Sequence, residues 1–269
     1  LATGDKEITT REWYDFVGSM ADVIPALHLG GREATRELLE MCSPTPETRV
    51  LDIGCGSGHT ACEAAKTYGS RVTGIDISEV MVAKAERKAK RMRLGELVEF
   101  RVADVFNLPF PDDSYDLALF ESVITTLPGD KHEALRETVR VTRPGGLVAA
   151  NESVVASAPD DFLRLAEEHP ATYGVFTPEG LRALLEESGL DIVEMSDVRS
   201  SGTPSMTGEL GVLGTITFMV KNYWRILWKL VSDPRYRRAA RVDDGLSKYI
   251  GEHGGYVLVV GRVPEKAPE

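Results

Sequence analysis

The sequence predicts an α/β fold: an open, mostly parallel sheet of seven strands with helices on both faces. Three observations carry this. From Arg49 onward, apolar runs of strand length alternate with segments of helical periodicity. The first run, Val50-Leu51-Asp52-Ile53, passes directly into a glycine-rich loop, Gly54-Cys55-Gly56-Ser57-Gly58. Acidic residues close the next two runs, Asp76 after the second and Asp104 after the third.

Taken in order, residues 11–42 read as helical. Trp13, Phe16, Met20 and Ile24 recur at spacings of three and four, and Leu38, Leu39 and Met41 mark a second run. His28-Leu29-Gly30-Gly31 is a turn between them, and Ser43-Pro44-Thr45-Pro46 ends the second helix. After the glycine loop a helix spans His59 to Tyr68, with His59 as its cap. The second strand runs Arg71 to Ile75. Ser78 caps a helix reaching about Arg91. Strands follow at Leu97–Val102, Tyr115–Phe120 and Leu147–Ala150. The helix Lys131–Thr142 lies before the last of these, stopped by Arg143-Pro144-Gly145-Gly146. A helix at Thr177–Ser188 and strands at Asp191–Met195 and Tyr256–Val260 complete the Rossmann-like set. About sixty residues separate the last two strands, too many for a structureless loop. The expected organisation is therefore an N-terminal helical segment (1–47), a core (48–198), a helical lid insert (199–254), and a last core strand with its tail (255–269).

Composition bounds the function. In 269 residues, 42% hydrophobic and 27% charged side chains are ordinary for a globular protein. The net charge of −11 disfavours long nucleic acid as a partner. Cys42, Cys55 and Cys62 form no CxxC pair, which fits a reducing compartment and argues against a cysteine zinc site. With neither a long apolar run nor a signal pattern, the expected location is cytoplasmic.

The glycine loop is the strongest local signal, because glycines permit sharp turns and close approach by a ligand. A phosphate-binding loop needs a lysine where His59 stands, and a dinucleotide loop spaces its glycines as GxGxxG rather than at 54, 56 and 58. A pyrophosphate site is thus disfavoured, though an NAD-dependent oxidoreductase and a non-catalytic cofactor-binding protein stay open as alternatives. A carboxylate at Asp76 suits ribose hydroxyls, and one at Asp104 suits an exocyclic amine. Ile77 and Met81 are placed to cover a base. Acids at strand ends also serve as caps, so it is their succession that points to a nucleoside.

With these residues the chain resembles the class I S-adenosylmethionine-dependent methyltransferases. The resemblance rests on Val50 to Gly58, Val72 to Asp76, Ala103-Asp104-Val105 and Arg143-Pro144-Gly145-Gly146, and covers roughly residues 48–155. It implies S-adenosylmethionine as cofactor and a final strand lying antiparallel between the fifth and sixth. It also implies cofactor contacts from Asp52, Gly54, Cys55, Gly56, Gly58, Asp76, Ile77, Met81, Asp104, Val105 and Phe120, with Tyr14 as a lid aromatic.

Such a cofactor carries its own electrophile, so no catalytic triad is required. A base is needed only when the acceptor must lose a proton. The candidates are Glu121 and Glu152, at the carboxyl ends of the fourth and fifth strands, and His28 in the N-terminal segment; Ser122 and Asn151 are their neighbours. His132, His169 and His253 read as surface residues, and no metal is called for. The run Phe120-Glu121-Ser122-Val123 lacks the Asn/Asp-Pro-Pro-aromatic motif of nucleic-acid and protein-amide methyltransferases, so a small-molecule acceptor is expected.

The insert colours that expectation. Residues 210–231 are strongly apolar, with Leu210, Val212, Leu213, Ile216, Phe218, Met219, Tyr223, Trp224, Ile226, Leu227, Trp228 and Leu230. Between 221 and 241 stand seven basic residues against one acid, Asp233. This suits a hydrophobic or amphiphilic acceptor such as a quinone precursor or lipid, and possible peripheral membrane contact through 221–241. A lid packed on the core, or a contact with a second subunit, is the plainer alternative. An amine acceptor held by Glu121 or Glu152 is the other substrate expectation.

Overall fold

The computed structural model describes residues 8–20, 28–157, 159–168, 174–199, 224 and 227–265. Two helices, α1 (Thr10–Met20) and α2 (Gly31–Cys42), precede the sheet. Then come β1 (Arg49–Ile53), α3 (His59–Tyr68), β2 (Arg71–Asp76), α4 (Glu79–Met92), β3 (Val98–Val102) and β4 (Tyr115–Glu121). A 3-10 turn at Ile124–Thr126 leads to α5 (Lys131–Val141), β5 (Thr142–Val155), α6 (Asp160–Glu168), α7 (Pro178–Glu187) and β6 (Asp191–Met195). The described chain ends with α8 (Pro234–His253) and β7 (Gly254–Arg262).

The strand order is β3-β2-β1-β4-β5-β7-β6. The pairs from β3 to β5 are parallel, and β7 is antiparallel to both β5 and β6, as the family resemblance implies. The direction of winding reverses between β1 and β4, which opens a crevice at their carboxyl ends. The glycine loop follows β1 and Glu121 ends β4, so both border it.

Strand alternation builds two apolar layers. On one face Val50, Val72, Leu117, Leu119 and Leu258 pack under Leu38 and Leu39 of α2 and Ala61 and Ala65 of α3. On the other, Leu51, Ile53, Ile75, Phe120 and Val259 meet Leu135 of α5 and Leu181 and Leu185 of α7. Local chemistry sets the helix starts. Ser78 accepts the Met81 amide, Asp130 accepts His132, and Thr177 accepts Gly180 one residue before Pro178.

Two expectations change. The fifth strand does not stop at Ala150; β5 continues to Val155, because β7 pairs with it residue for residue from Leu147↔Arg262 to Val155↔Gly254. Helix α6 was not expected. It buries Phe162 and Ala166 against Val242 of α8, far along the chain, and Phe162 stacks on Tyr249 at 4.2 Å. Of the insert, the described residues are Arg199, which bridges to Tyr256, helical residues at 224 and 227–232, Asp233, α8 and Gly254. Leu210, Val212, Leu213, Ile216, Phe218, Met219, Lys221, Tyr223, Arg225 and Ile226 lie outside the described residues, as do Ile24 and His169.

Candidate functional site

The loop after β1 is held from below and open above. Gly56 has φ +51° and Gly58 φ +74°, backbone that favours glycine. A Cβ on Gly58 would lie 2.8 Å from Ala85 Cβ and from the Phe100 ring, so this glycine allows α3 to approach α4 and β3. A Cβ on Gly56 would meet nothing within 4 Å among the described residues. Gly56 is therefore the point where the loop backbone faces open space. Cys55 is buried beside it, and burial raises its thiol well above the usual range, so it serves as a small neutral residue. Asp52 is buried under the loop, where its Oδ2 accepts the Ala61 amide at 3.0 Å and ties down the start of α3. Burial, then the nearby Glu121, pushes the Asp52 carboxyl well up. His59 is not a cap: Gly58 occupies that position, and burial and Lys88 hold the imidazole at about 3.

Asp76 ends β2 at the loop's edge. Its Oδ2 accepts Gly56 N–H at 2.9 Å and its Oδ1 accepts Ser78 N–H at 2.9 Å. Burial raises it to about 6 although both bonds pull the other way. Ile77 beside it is exposed, and so is Asp104, whose Oδ1 accepts the Phe106 amide at 3.0 Å. Val105 is buried in the core. Met81 departs from expectation. It is fully buried beneath α1, where a Cβ on Gly18 would lie 3.2 Å from its sulfur, so it supports α1 rather than an open face. Helix α1 is fastened there by Asp15, which accepts the Ser78 hydroxyl, and by Arg11 to Glu79 at 3.2 Å. Tyr14 packs with the cluster of Trp13, Phe16 and Tyr236 that joins α1 to α8.

Across the crevice, Glu121 is the hub of a buried polar network. Its Oε2 accepts Thr60 Oγ, Thr35 Oγ at 3.1 Å, and lies 3.3 Å from His28 Nε2. Asn151, its register partner on β5, donates through Nδ2 to Leu29 O at 3.0 Å and to His28 Nδ1 at 3.1 Å. His28 Nδ1 also lies 3.2 Å from Leu29 O, and Nε2 lies 3.1 Å from Thr35 Oγ. Both ring nitrogens of His28 are thus engaged within this network, with Nε2 facing Glu121. Glu121 Oε1 and Asn151 Oδ1 are buried and, among the described residues, accept from no donor. Thr35 and Thr60 were not singled out in the sequence; threonines in the first turns of α2 and α3 carry no signal until the fold brings them to β4.

Two further expectations are corrected. Glu152 is fully buried and accepts four hydrogen bonds, from Val123 N (2.9 Å), Ile124 N (2.8 Å), Thr125 N (3.1 Å) and Thr125 Oγ (2.8 Å). No lone pair is left for an acceptor molecule. Phe120 lies wholly in the core on the face opposite Glu121, because neighbouring strand residues point to opposite sides. Among the other histidines, His132 is partly buried against Ser188 Oγ at 3.0 Å, and His253 is exposed.

Among the described residues, no group of three or more His, Cys, Asp or Glu side chains is arranged to hold a metal. No described helix is long and apolar enough to cross a membrane.

Comparison with known proteins follows the same lines. A family profile described as a methyltransferase domain matches residues 51–150. The methyltransferase GfsG of Streptomyces halstedii is 33% identical over 187 residues, covering 68% of this chain and 66% of that protein. The match thus spans about two thirds of that relative's length. The O-methyltransferase rstn1 of Aspergillus nomiae is 33% identical over 171 residues, covering 62% of this chain and 75% of that one. Among solved structures, the [4+2]-cyclase SpnF superposes with a TM-score of 0.75 at 25% identity, covering 97% of this chain and 98% of that one.

Proposed function

The chain belongs to the class I S-adenosylmethionine-dependent methyltransferases, and from that premise we propose that it transfers a methyl group to a hydroxyl oxygen of a small, largely apolar molecule. S-adenosylmethionine supplies an activated methyl on a sulfonium. The observation that carries the reading is the open side of Gly56, whose amide donates to Asp76 at the carboxyl end of β2. A backbone free of Cβ lets a nucleoside approach, and an acidic surround favours a cationic cofactor over the two phosphates of NAD. Asp76 and exposed Asp104 are the residues we assign to the ribose and the base, with Ile77 against its face. Asp52 and Cys55 shape the loop from beneath.

For the acceptor, Glu121 Oε1 is the buried oxygen with capacity to take a proton, while His28, Thr35 and Thr60 hold the carboxylate in place and Asn151 holds His28. Hydroxyl rather than amine transfer is favoured by the O-methyltransferase relative. An apolar skeleton, lipid- or quinone-like, is favoured by exposed Trp224, Leu227, Trp228 and Val231 in the insert. Vesicle cosedimentation measures whether the basic 221–241 run also meets an anionic membrane. A second reading comes from the cyclase match over nearly the whole chain: ring closure in a cofactor-bound scaffold, with no methyl transferred.

Calorimetric titration with S-adenosylmethionine, S-adenosylhomocysteine and NAD tests the cofactor. Binding of the first two alone supports the reading, and binding of NAD alone overturns it. Turnover to S-adenosylhomocysteine with a panel of hydroxylated apolar compounds then separates methyl transfer from ring closure.

A further inference from the structure

The turn between β4 and α5 is wrapped around one carboxylate. Ser122 has φ +57°, a strained backbone for a residue with a Cβ, and its N–H donates to Asn151 O at 2.8 Å. The next three amides point inward together onto Glu152, forming a small nest of N–H groups around its two oxygens. The first residue of the nest, Val123, lays its side chain on the glycine loop: a Cβ on Gly54 would lie 2.5 Å from Val123 Cγ2. Gly54 itself has φ +66°. One turn of backbone and one valine therefore connect Glu152, on β5, to the loop that follows β1.

We propose that Glu152 is a positioning residue for cofactor binding: by fixing Val123 against Gly54, it holds the glycine loop in its binding conformation. It acts through the turn and touches neither cofactor nor acceptor. The proposal rests on the reading of the glycine loop as the cofactor site. The neighbouring cation, Lys131, donates to Leu127 O at 2.8 Å, so the hydrogen bonds Glu152 receives come from the turn. A carboxylate suits the nest because every group facing it is a donor. A glutamine of the same length would turn an NH2 toward one of those amides and leave it unpaired.

The test uses the whole chain carrying Glu152→Gln or Val123→Ala, with two measurements. Calorimetry gives the affinity for S-adenosylmethionine and S-adenosylhomocysteine. Amide hydrogen exchange, without ligand, follows Cys55, Gly56 and Gly58, whose N–H groups bond to Ile75 O, Asp76 and Cys55 O. For Glu152→Gln we expect binding at least tenfold weaker and faster exchange at these three amides. For Val123→Ala we expect a smaller loss at the same amides. A folded Glu152→Gln protein with affinity within twofold of wild type, or with faster exchange confined to residues 122–126, overturns the proposal. If Glu152→Gln fails to fold, Val123→Ala decides, and unchanged affinity and exchange in it overturn the proposal equally. Wild-type chain that binds neither sulfur cofactor brings down the cofactor reading itself, which is a separate outcome.

Discussion

Asp76 and Gly56 are joined by a hydrogen bond of 2.9 Å that runs from the loop amide to the carboxylate ending the neighbouring strand. The same carboxylate is buried and held at about 6, against an ordinary value of 3.8. The native state therefore binds more protons than the unfolded chain between about pH 4 and 6. Stability from this group is greatest below pH 4 and declines as pH rises to 6. Cofactor binding should run the other way, because the ionised carboxylate is the better acceptor for ribose hydroxyls. We expect the affinity for S-adenosylmethionine to fall about tenfold from pH 7.5 to pH 5, the loss expected when about a tenth of a group at 6 stays ionised. In Asp76→Asn we expect weak binding with no such pH dependence. Calorimetry across this range checks both.

Gly56 and Gly58 should separate stability from binding. Gly58→Ala meets Ala85 and Phe100 at 2.8 Å and forces a left-handed alanine, so we expect a loss of about 2–4 kcal/mol. Gly56→Ala meets nothing among the described residues, and only the backbone cost of about 1 kcal/mol applies. Yet its methyl group enters the space assigned to the cofactor, and binding should weaken at least tenfold. Thermal melts alongside calorimetry distinguish the two variants.

Replacing the hub of the polar network tests the proton-accepting role. Glu121→Gln should lower the rate of methyl transfer to a hydroxyl by about 10²–10⁴-fold. Cofactor affinity should stay within about threefold, since the residue is assigned to the acceptor's proton. Single-turnover rates with the identified acceptor read the first effect. Loss of cofactor affinity equal to the loss of rate would show that Glu121 serves the loop instead.

Breaking the contacts of Asp15 should loosen α1 from α4. Ser78→Ala removes both the cap of α4 and the hydroxyl that Asp15 accepts, at a cost of about 1 kcal/mol from the cap alone. Asp15→Asn spares the cap. Limited proteolysis within residues 8–20 should accelerate in both variants, and equal rates in wild type and Asp15→Asn would show that Asp15 fastens nothing.

The parts of this molecule written in local chemistry were legible in the sequence. Ser78 and Thr177 announced their helices, and the glycine loop lies where a strand had to turn. The acids at strand ends were legible as a set, but not their individual duties. Glu121, at the end of β4, and Glu152, three residues before the end of β5, look alike in sequence. They are separated by which face they occupy and by what the next turn brings to them: hydroxyls for one, three backbone amides for the other. Phe120 and Met81 were misjudged for a related reason, since burial is decided by partners such as α1 and α5 that no local pattern contains. Helix α6 was missed because its support, Val242, arrives late in the chain.

That β7 lies between β5 and β6 has a consequence for biosynthesis. Strand β5 ends at residue 155 and its partner begins at 254. At a translation rate of roughly 5–20 residues per second, the nascent chain spends about 5–20 s with β5 as an unpaired edge. During that interval Val148, Ala150, Val154 and Val155, all buried in the finished protein, border an open row of backbone donors and acceptors. Holding chaperones should therefore engage ribosome-bound chains truncated between 160 and 250, and release them once residue 262 has left the exit tunnel.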